Sequence, residues 1–362
     1  MHYLAGLFLS LASVPGYTSA SIPAGWAAMS IFLPLATWRE ARLTSLHFLL
    51  LAFLVYAALS ISWTIIAWDG GFRLWQLTLI ALAFYYGSSL PDLRQFVLGL
   101  ACGCAVSSAL SVAQWYGFQP VPHFATAAPA GLFYNPVFLG MTLSLVAIAC
   151  LCLGLWPMIP LLLPGIYLSQ SRGAWLSLGL GAIAWVMPSR WLPVLAIAFT
   201  LFAITIAPGD NDIERMAIWV SALAHLTPFG NGAGSFSNLL LLTGDSILQL
   251  DSAHNDALQL LFEFGIGTVP FLAIIACCLW RSHHSLWPVL ASFTFLSFFS
   301  LPLFSPITAC LFSICAGRIA SDWDRVRRSL ADRRRDWLLR YASERLRQSF
   351  TRRKTLPLQP GT

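Results

Sequence analysis

Charge is what this chain lacks most. Only 10% of its 362 residues are Asp, Glu, Lys or Arg, against about 25% in an ordinary soluble domain, and the deficit excludes a water-soluble globule. Sustained alternation of apolar and polar residues is also missing, which argues against a transmembrane barrel. The eight cysteines (102, 104, 150, 152, 277, 278, 310 and 315) all lie inside apolar runs. Their spacing suggests neither a disulfide framework nor a zinc site, and they read as packing residues. No basic segment precedes the first apolar run, so a retained first span is expected rather than a cleaved signal peptide. No nucleic-acid-binding module accompanies the basic residues, so nucleic acid is not an expected partner.

What is present is apolar surface: 57% hydrophobic residues, 15 Trp and 25 Phe. Stretches of about 20 apolar residues, the length that crosses a bilayer core as helix, follow one another with short breaks. The backbone must satisfy its own hydrogen bonds in lipid, which favours helices. The expected fold is all-α, a polytopic integral membrane bundle. Spans are expected at 3–19, 21–38, 44–66, 73–90, 95–115, 137–155, 157–170, 174–188, 191–207, 257–280, 285–303 and 306–320, about twelve in all. The expected domains are a transmembrane part, 1–320, and a basic cytoplasmic tail, 321–362. Two connections exceed short turns, 116–136 and 208–256, and the second is long enough to carry function.

Lys and Arg stay on the cytoplasmic side of short loops. With both termini inside, 18 of the 21 basic residues face the cytoplasm, and only Arg73, Arg172 and Arg215 fall outside. Arg73 has two readings, a partner for nearby Asp69 or a functional residue. From Arg318 onward the chain holds 13 basic and 5 acidic residues. There Trp323, Val326, Leu330, Trp337 and Tyr341 recur at helical spacing. Both an amphipathic helix on anionic membrane lipids and a plain solvated tail fit that pattern.

The loop 208–256 carries the chemistry. Asn211 and Glu214 suggest a capping-box helix start, and Pro228 to Ser235 breaks the helix that follows. Its Gly-x-Gly-x-Gly spacing follows no strand and reads as a tight turn with close backbone approach, not a nucleotide loop. The next helix opens in Asp251-Ser252-Ala253-His254-Asn255-Asp256. A histidine at a helix mouth is kept neutral by the helix dipole and can act as a base; an interfacial histidine bonded to a backbone carbonyl is the plainer alternative. Asp256, Gln259 and Glu263 share one helix face. Glu263 lies a turn or two into the span, where an acid must be paired and face the bundle interior. One histidine among scattered acids does not make a metal site. Arg172 and Arg215 offer planar forks that hold phosphate oxygens and stabilise a diphosphate leaving group without metal or other cofactor.

At these residues the chain resembles the O-antigen ligase superfamily, which also includes O-antigen polymerases. The resemblance covers roughly 130–280. It rests on Gly131-Leu132-Phe133-Tyr134-Asn135-Pro136, Ser171-Arg172-Gly173-Ala174-Trp175, Glu214-Arg215 with Trp219, Pro228-Phe229-Gly230-Asn231-Gly232-Ala233-Gly234-Ser235-Phe236, and His254-Asn255-Asp256 through Glu263-Phe264-Gly265. The resemblance implies a metal-independent membrane glycosyltransferase with a large periplasmic loop, acting in lipopolysaccharide or other cell-envelope polysaccharide biosynthesis. Such an enzyme takes glycan from an undecaprenyl-diphosphate-linked donor to a glycolipid acceptor at the periplasmic face of the bacterial inner membrane. It also implies that His254 matches the family's essential histidine and that Arg172 and Arg215 contact the diphosphate. Arg73, Asn255, Asp256 and Glu263 are candidate supporting residues. An O-antigen or capsule polymerase is the alternative within the class, and a glycolipid flippase or transporter the alternative outside it. The clustering of unusual charges at one outer face favours the enzyme over a transporter with midplane charges.

Overall fold

Helices make up nearly all the regular structure of the computed structural model, which describes residues 2–11, 21–37, 43–119, 128–133, 135–187, 210–243, 246–249, 252–280 and 285–354. By contact the chain divides into two units, Met1–Ala320 and Ser321–Thr362. The described helices are α1 (His2–Leu11), α2 (Ser21–Thr37), α3 (Ser45–Ser60), α4 (Ala67–Ser89), α5 (Leu93–Trp115), α6 (Pro136–Cys152), α7 (Ile159–Leu168), α8 (Arg172–Val186), α9 (Asp210–Ala224), α10 (Asp256–Phe264), α11 (Val269–Trp280), α12 (Trp287–Leu296) and α13 (Pro306–Lys354). The expected span 191–207 lies outside the described residues, as does Asp251.

Three helical segments among the described residues are long and apolar enough to cross a membrane: Ser45–Trp63, Leu93–Trp115 and Asp256–Trp280. They correspond to the expected spans 44–66, 95–115 and 257–280; the remainder of a twelve-span count does not emerge. For the shortest helices the reason is length. An α-helix rises about 1.5 Å per residue, so it needs about 20 residues to cross a hydrocarbon core, and α7 and α12 have 10 residues each. Apolar runs that look continuous in sequence are cut by Pro157, Pro160 and Pro302 and by turns that the hydrophobic pattern does not register. The helix α3 shows what a spanning segment looks like: Leu50, Phe53 and Ala57 are buried while Phe48, Leu51, Val55 and Leu59 are exposed. A helix apolar on both sides is suited to a bundle on one side and lipid on the other.

Within the first unit α6 is buried along nearly its whole length and packs against α5, α7, α8 and α12. The α1–α5 contact is close because α5 carries Gly99 and Gly103 one turn apart and α1 carries Gly6. A Cβ at Gly99 would run into the Tyr3 carbonyl and one at Gly6 into the Phe96 carbonyl. Small residues at this spacing let helix backbones approach without lipid-facing polar groups.

Two short strands, β1 (Leu240–Thr243) and β2 (Ser246–Gln249), pair antiparallel with Leu240 opposite Gln249 and Thr243 opposite Ser246. The all-helical expectation omits this pair, although Thr243-Gly244-Asp245-Ser246 after a run of leucines is a strand-reversal signal. Below it Ile218, Ala222, Phe236, Leu239, Ala253, Leu258 and Phe262 form a small core of their own. The described residues of 210–264 therefore hold a small core of their own, and this segment is termed the cap.

In the second unit α13 continues to Lys354. Trp323, Val326, Trp337 and Tyr341 are exposed there, and the Trp337 and Tyr341 rings stack at 5.5 Å.

Candidate functional site

The helix α10 is positioned by its ends. Asn255 caps it, its side-chain oxygen accepting from Leu258 N at 3.0 Å, so the helix begins at Asp256 and not within Asp251–His254. Similarly, α9 begins at Asp210, ahead of the Asn211 cap expected from sequence. The last carbonyls of α10 meet the glycine-rich turn: Asn231 N donates to Phe262 O at 2.9 Å and Gly232 N to Glu263 O at 3.0 Å. That turn behaves as its sequence suggests. Gly232 (φ +96°) and Gly234 (φ +70°) adopt left-handed backbone against the α3–α4 junction, where a Cβ would press on Thr64 and on the Asp69 carbonyl respectively. Thr64 Oγ1 donates to Ala233 O at 2.9 Å, Trp63 Nε1 to Gly230 O at 3.2 Å and Tyr56 OH to Phe229 O at 2.7 Å. These bonds tie the cap to α3 and α4. The helix then breaks at Gly265–Thr268, a single 3-10 turn, before Pro270 in α11.

The inner face of α10 holds a buried polar cluster. Asp256, Gln259 and Glu263 are all buried, Glu263 completely. Arg73 of α4 grips Glu263 with two bonds, Nε to Oε2 at 2.9 Å and Nη2 to Oε1 at 3.1 Å, and Nη1 donates to Gln76 Oε1 at 2.8 Å. Its guanidinium carbon lies 3.9 Å from the centre of the Phe304 ring, a cation over a π-face in a desolvated setting. Arg73 therefore pairs with Glu263, not with Asp69, whose Oδ2 accepts from Ser237 Oγ at 3.1 Å. Gln259 Nε2 donates to Glu263 Oε1 at 3.3 Å and its Oε1 accepts from Ala253 N at 3.2 Å. Asp256 fastens the start of the helix to the 297–303 segment: its backbone N donates to Ser297 O at 2.8 Å, and Leu303 N donates to its Oδ2 at 2.9 Å.

His254 lies just before this helix, half-buried, with a left-handed backbone at φ +49°. Such a conformation in a residue other than glycine costs of order 1–3 kcal/mol and tends to mark functional positions. Its neighbour Ala253 accepts at O from Trp219 Nε1 at 2.8 Å. Arg215, one turn before Trp219 on α9, is half-buried and its Nη1 donates to Phe299 O at 3.4 Å. Arg172, exposed, is the first residue of α8, capped by Ser171 accepting from Ala174 N at 3.3 Å. A Cβ placed on the adjacent Gly173 would lie 3.6 Å from Leu296. The start of α8, Arg215 and the start of α10 thus meet one short segment, 296–299.

Of the residues singled out in the sequence, the fold joins Arg73 and Glu263 in one hydrogen-bonded cluster with Gln259 and Gln76, bonds Asp256 instead to Ser297 and Leu303, and sets Asn255 at the start of the same helix. Arg215 bonds to the 296–299 segment directly, while Arg172 and His254 stand one and two residues from the groups that approach it, Gly173 and Asp256. Gln76, Ser297 and Phe304 escape a reading of the sequence, since no charge or motif marks them. Among the described residues no group of three or more His, Cys, Asp or Glu is placed to hold a metal ion. No protein-family model matches the chain, and no curated protein matches it significantly.

Proposed function

We propose that the protein is an O-antigen ligase-like glycosyltransferase of the bacterial inner membrane, with its site facing the periplasm. It would transfer a glycan from undecaprenyl diphosphate to a hydroxyl of a lipid A-core or similar glycolipid. The observation that carries this reading is the convergence of three elements on residues 296–299: the start of α8 with Arg172, Arg215 through its bond to Phe299, and the start of α10 beside His254. That is the set a diphosphate-leaving transfer needs, two cations for the leaving group and one base for the nucleophile.

In the proposed step the acceptor oxygen attacks the anomeric carbon and its proton passes to the His254 imidazole. The bond from that carbon to the diphosphate oxygen breaks, its electron pair leaves with the diphosphate, and the configuration inverts. Arg172 and Arg215 neutralise the charge that develops on the leaving group, a role for which the guanidinium fork is suited. General-base catalysis contributes about 10² to 10⁴ in rate. His254→Ala should insert normally in the membrane and transfer glycan slower by that factor, while His225→Ala, on the exposed turn after α9, should stay active. Lipopolysaccharide from a deletion strain complemented with each variant reads the outcome. Loss of long glycan on the lipid core supports a ligase; a product stalled at one repeat turns the reading to a polymerase; wild-type profiles with His254→Ala refute both.

A further inference from the structure

We infer that Gln259 is a positioning residue, which with Glu263 and Arg73 holds the backbone around His254 in its left-handed form; this rests on the functional reading just given. A strained residue persists only where its surroundings over-determine it. Two of the constraints near His254 are local or contributed by the cap, the Asn255 cap and the Trp219 bond to Ala253 O, and a third is the bond from Asp256 N to Ser297 O beyond it. The fourth, from Ala253 N to Gln259 Oε1 at 3.2 Å, connects to buried charge.

A glutamine amide can turn over, exchanging its acceptor and donor ends. Here it cannot do so at low cost. Its Nε2 faces Glu263 Oε1 at 3.3 Å, and a flipped amide would set two acceptors against each other there and two donors against each other at Ala253. The charge on Glu263 therefore orients Gln259, and Gln259 places an acceptor under Ala253 N, one residue before His254. Arg73 grips the fully buried Glu263 at both oxygens, with Gln76 and Phe304 fixing the guanidinium in turn. The chain Arg73, Glu263, Gln259, Ala253 thus runs from α4 to the candidate base and explains why an ion pair lies so deep. A misplacement of about 1 Å of a reacting group can lower rates about 100-fold, so the device matters to turnover more than to binding.

The test pairs kinetics with hydrogen–deuterium exchange on the purified full-length protein in detergent. Gln259→Met keeps the length of the side chain and removes both bonds. The expected result is faster exchange confined to residues 252–258, with kcat for glycan transfer reduced about 10- to 100-fold and KM within about twofold of wild type. Arg73→Lys, which keeps a cation against Glu263 but not its two-pronged grip, should move both readouts in the same direction by less, and serves if Gln259→Met fails to fold. Unchanged exchange in the variants overturns the inference, as does faster exchange with wild-type kcat. His254→Ala is measured in parallel. If it transfers at the wild-type rate, the glycosyltransferase reading fails and this inference with it. If it is inactive while Gln259→Met turns over normally, only the positioning role fails.

Discussion

Arg73 and Arg172 are both exceptions to the charge asymmetry expected from the sequence, yet their surroundings are opposite. Arg73 sits four residues after Asp69 on α4, is 14% exposed and spends its fork on Glu263. Arg172 opens α8, is exposed, and stands where the helix has just been capped by Ser171. Arg215 is half-buried and reaches the backbone carbonyl of Phe299 at 3.4 Å. The comparison separates an arginine that holds the scaffold from one, Arg172, that is open to solvent. An exposed guanidinium at the end of a helix can exchange partners, whereas one locked onto a fully buried carboxylate cannot do so without stranding that charge.

The largest effect should come from removing the scaffold arginine. Arg73→Ala leaves Glu263, fully buried, without its counter-ion, and breaking a buried pair by deleting one partner costs about 3–5 kcal/mol. Thermal unfolding in detergent should show a corresponding loss, whereas Arg172→Ala, at an exposed position, should shift stability by no more than about 0.5 kcal/mol. Equal stabilities would erase the distinction between the two arginines.

A smaller effect, in activity and not in stability, should follow conservative replacement of the outer pair. Lysine keeps the charge at Arg172 and Arg215 but loses the planar fork that holds two phosphate oxygens at once. Arg172→Lys and Arg215→Lys should each lower kcat/KM about tenfold or more, equivalent to about 1.4 kcal/mol of transition-state stabilisation, with membrane levels unchanged. Wild-type transfer in both would mean these arginines serve only the local structure of α8 and α9.

The same contrast measures what the sequence makes legible. Glu263 can be assigned to the bundle interior from the cost of an acid within a span and its spacing from Gln259, and the glycine-rich turn reads correctly because alternating glycines before an apolar run signal close backbone approach. The partner of Glu263 is not legible. Arg73 lies 190 positions away in sequence, and an acid only four residues from Arg73 offers a nearer, incorrect choice in Asp69. Short-range pattern likewise does not register helix breaks: among the described residues α7 and α12 are 10-residue helices inside longer apolar runs. The role of the 296–304 segment is hidden for a different reason: its contribution is mostly backbone carbonyls and one phenyl ring, and neither leaves a mark in composition.

The smallest expected effect concerns the strain at His254, and its sign is the informative part. A non-glycine residue at φ +49° carries a steric penalty that glycine does not, since the Cβ crowds the following carbonyl oxygen. His254→Gly removes that penalty but adds freedom to the unfolded chain, and glycine loses more entropy on ordering than other residues. The two offset in part, so the variant should be as stable as wild type or more stable by up to about 1 kcal/mol, while transfer falls as far as in His254→Ala. A residue kept against its own conformational preference and needed only for turnover is the pattern of a functional site in which stability is lost to activity. By contrast, in Arg73→Ala a loss of activity cannot be separated from a loss of fold. If His254→Gly instead unfolds several degrees earlier than wild type, the imidazole is part of what holds the mouth of α10, and the base must be sought among other groups around residues 296–299.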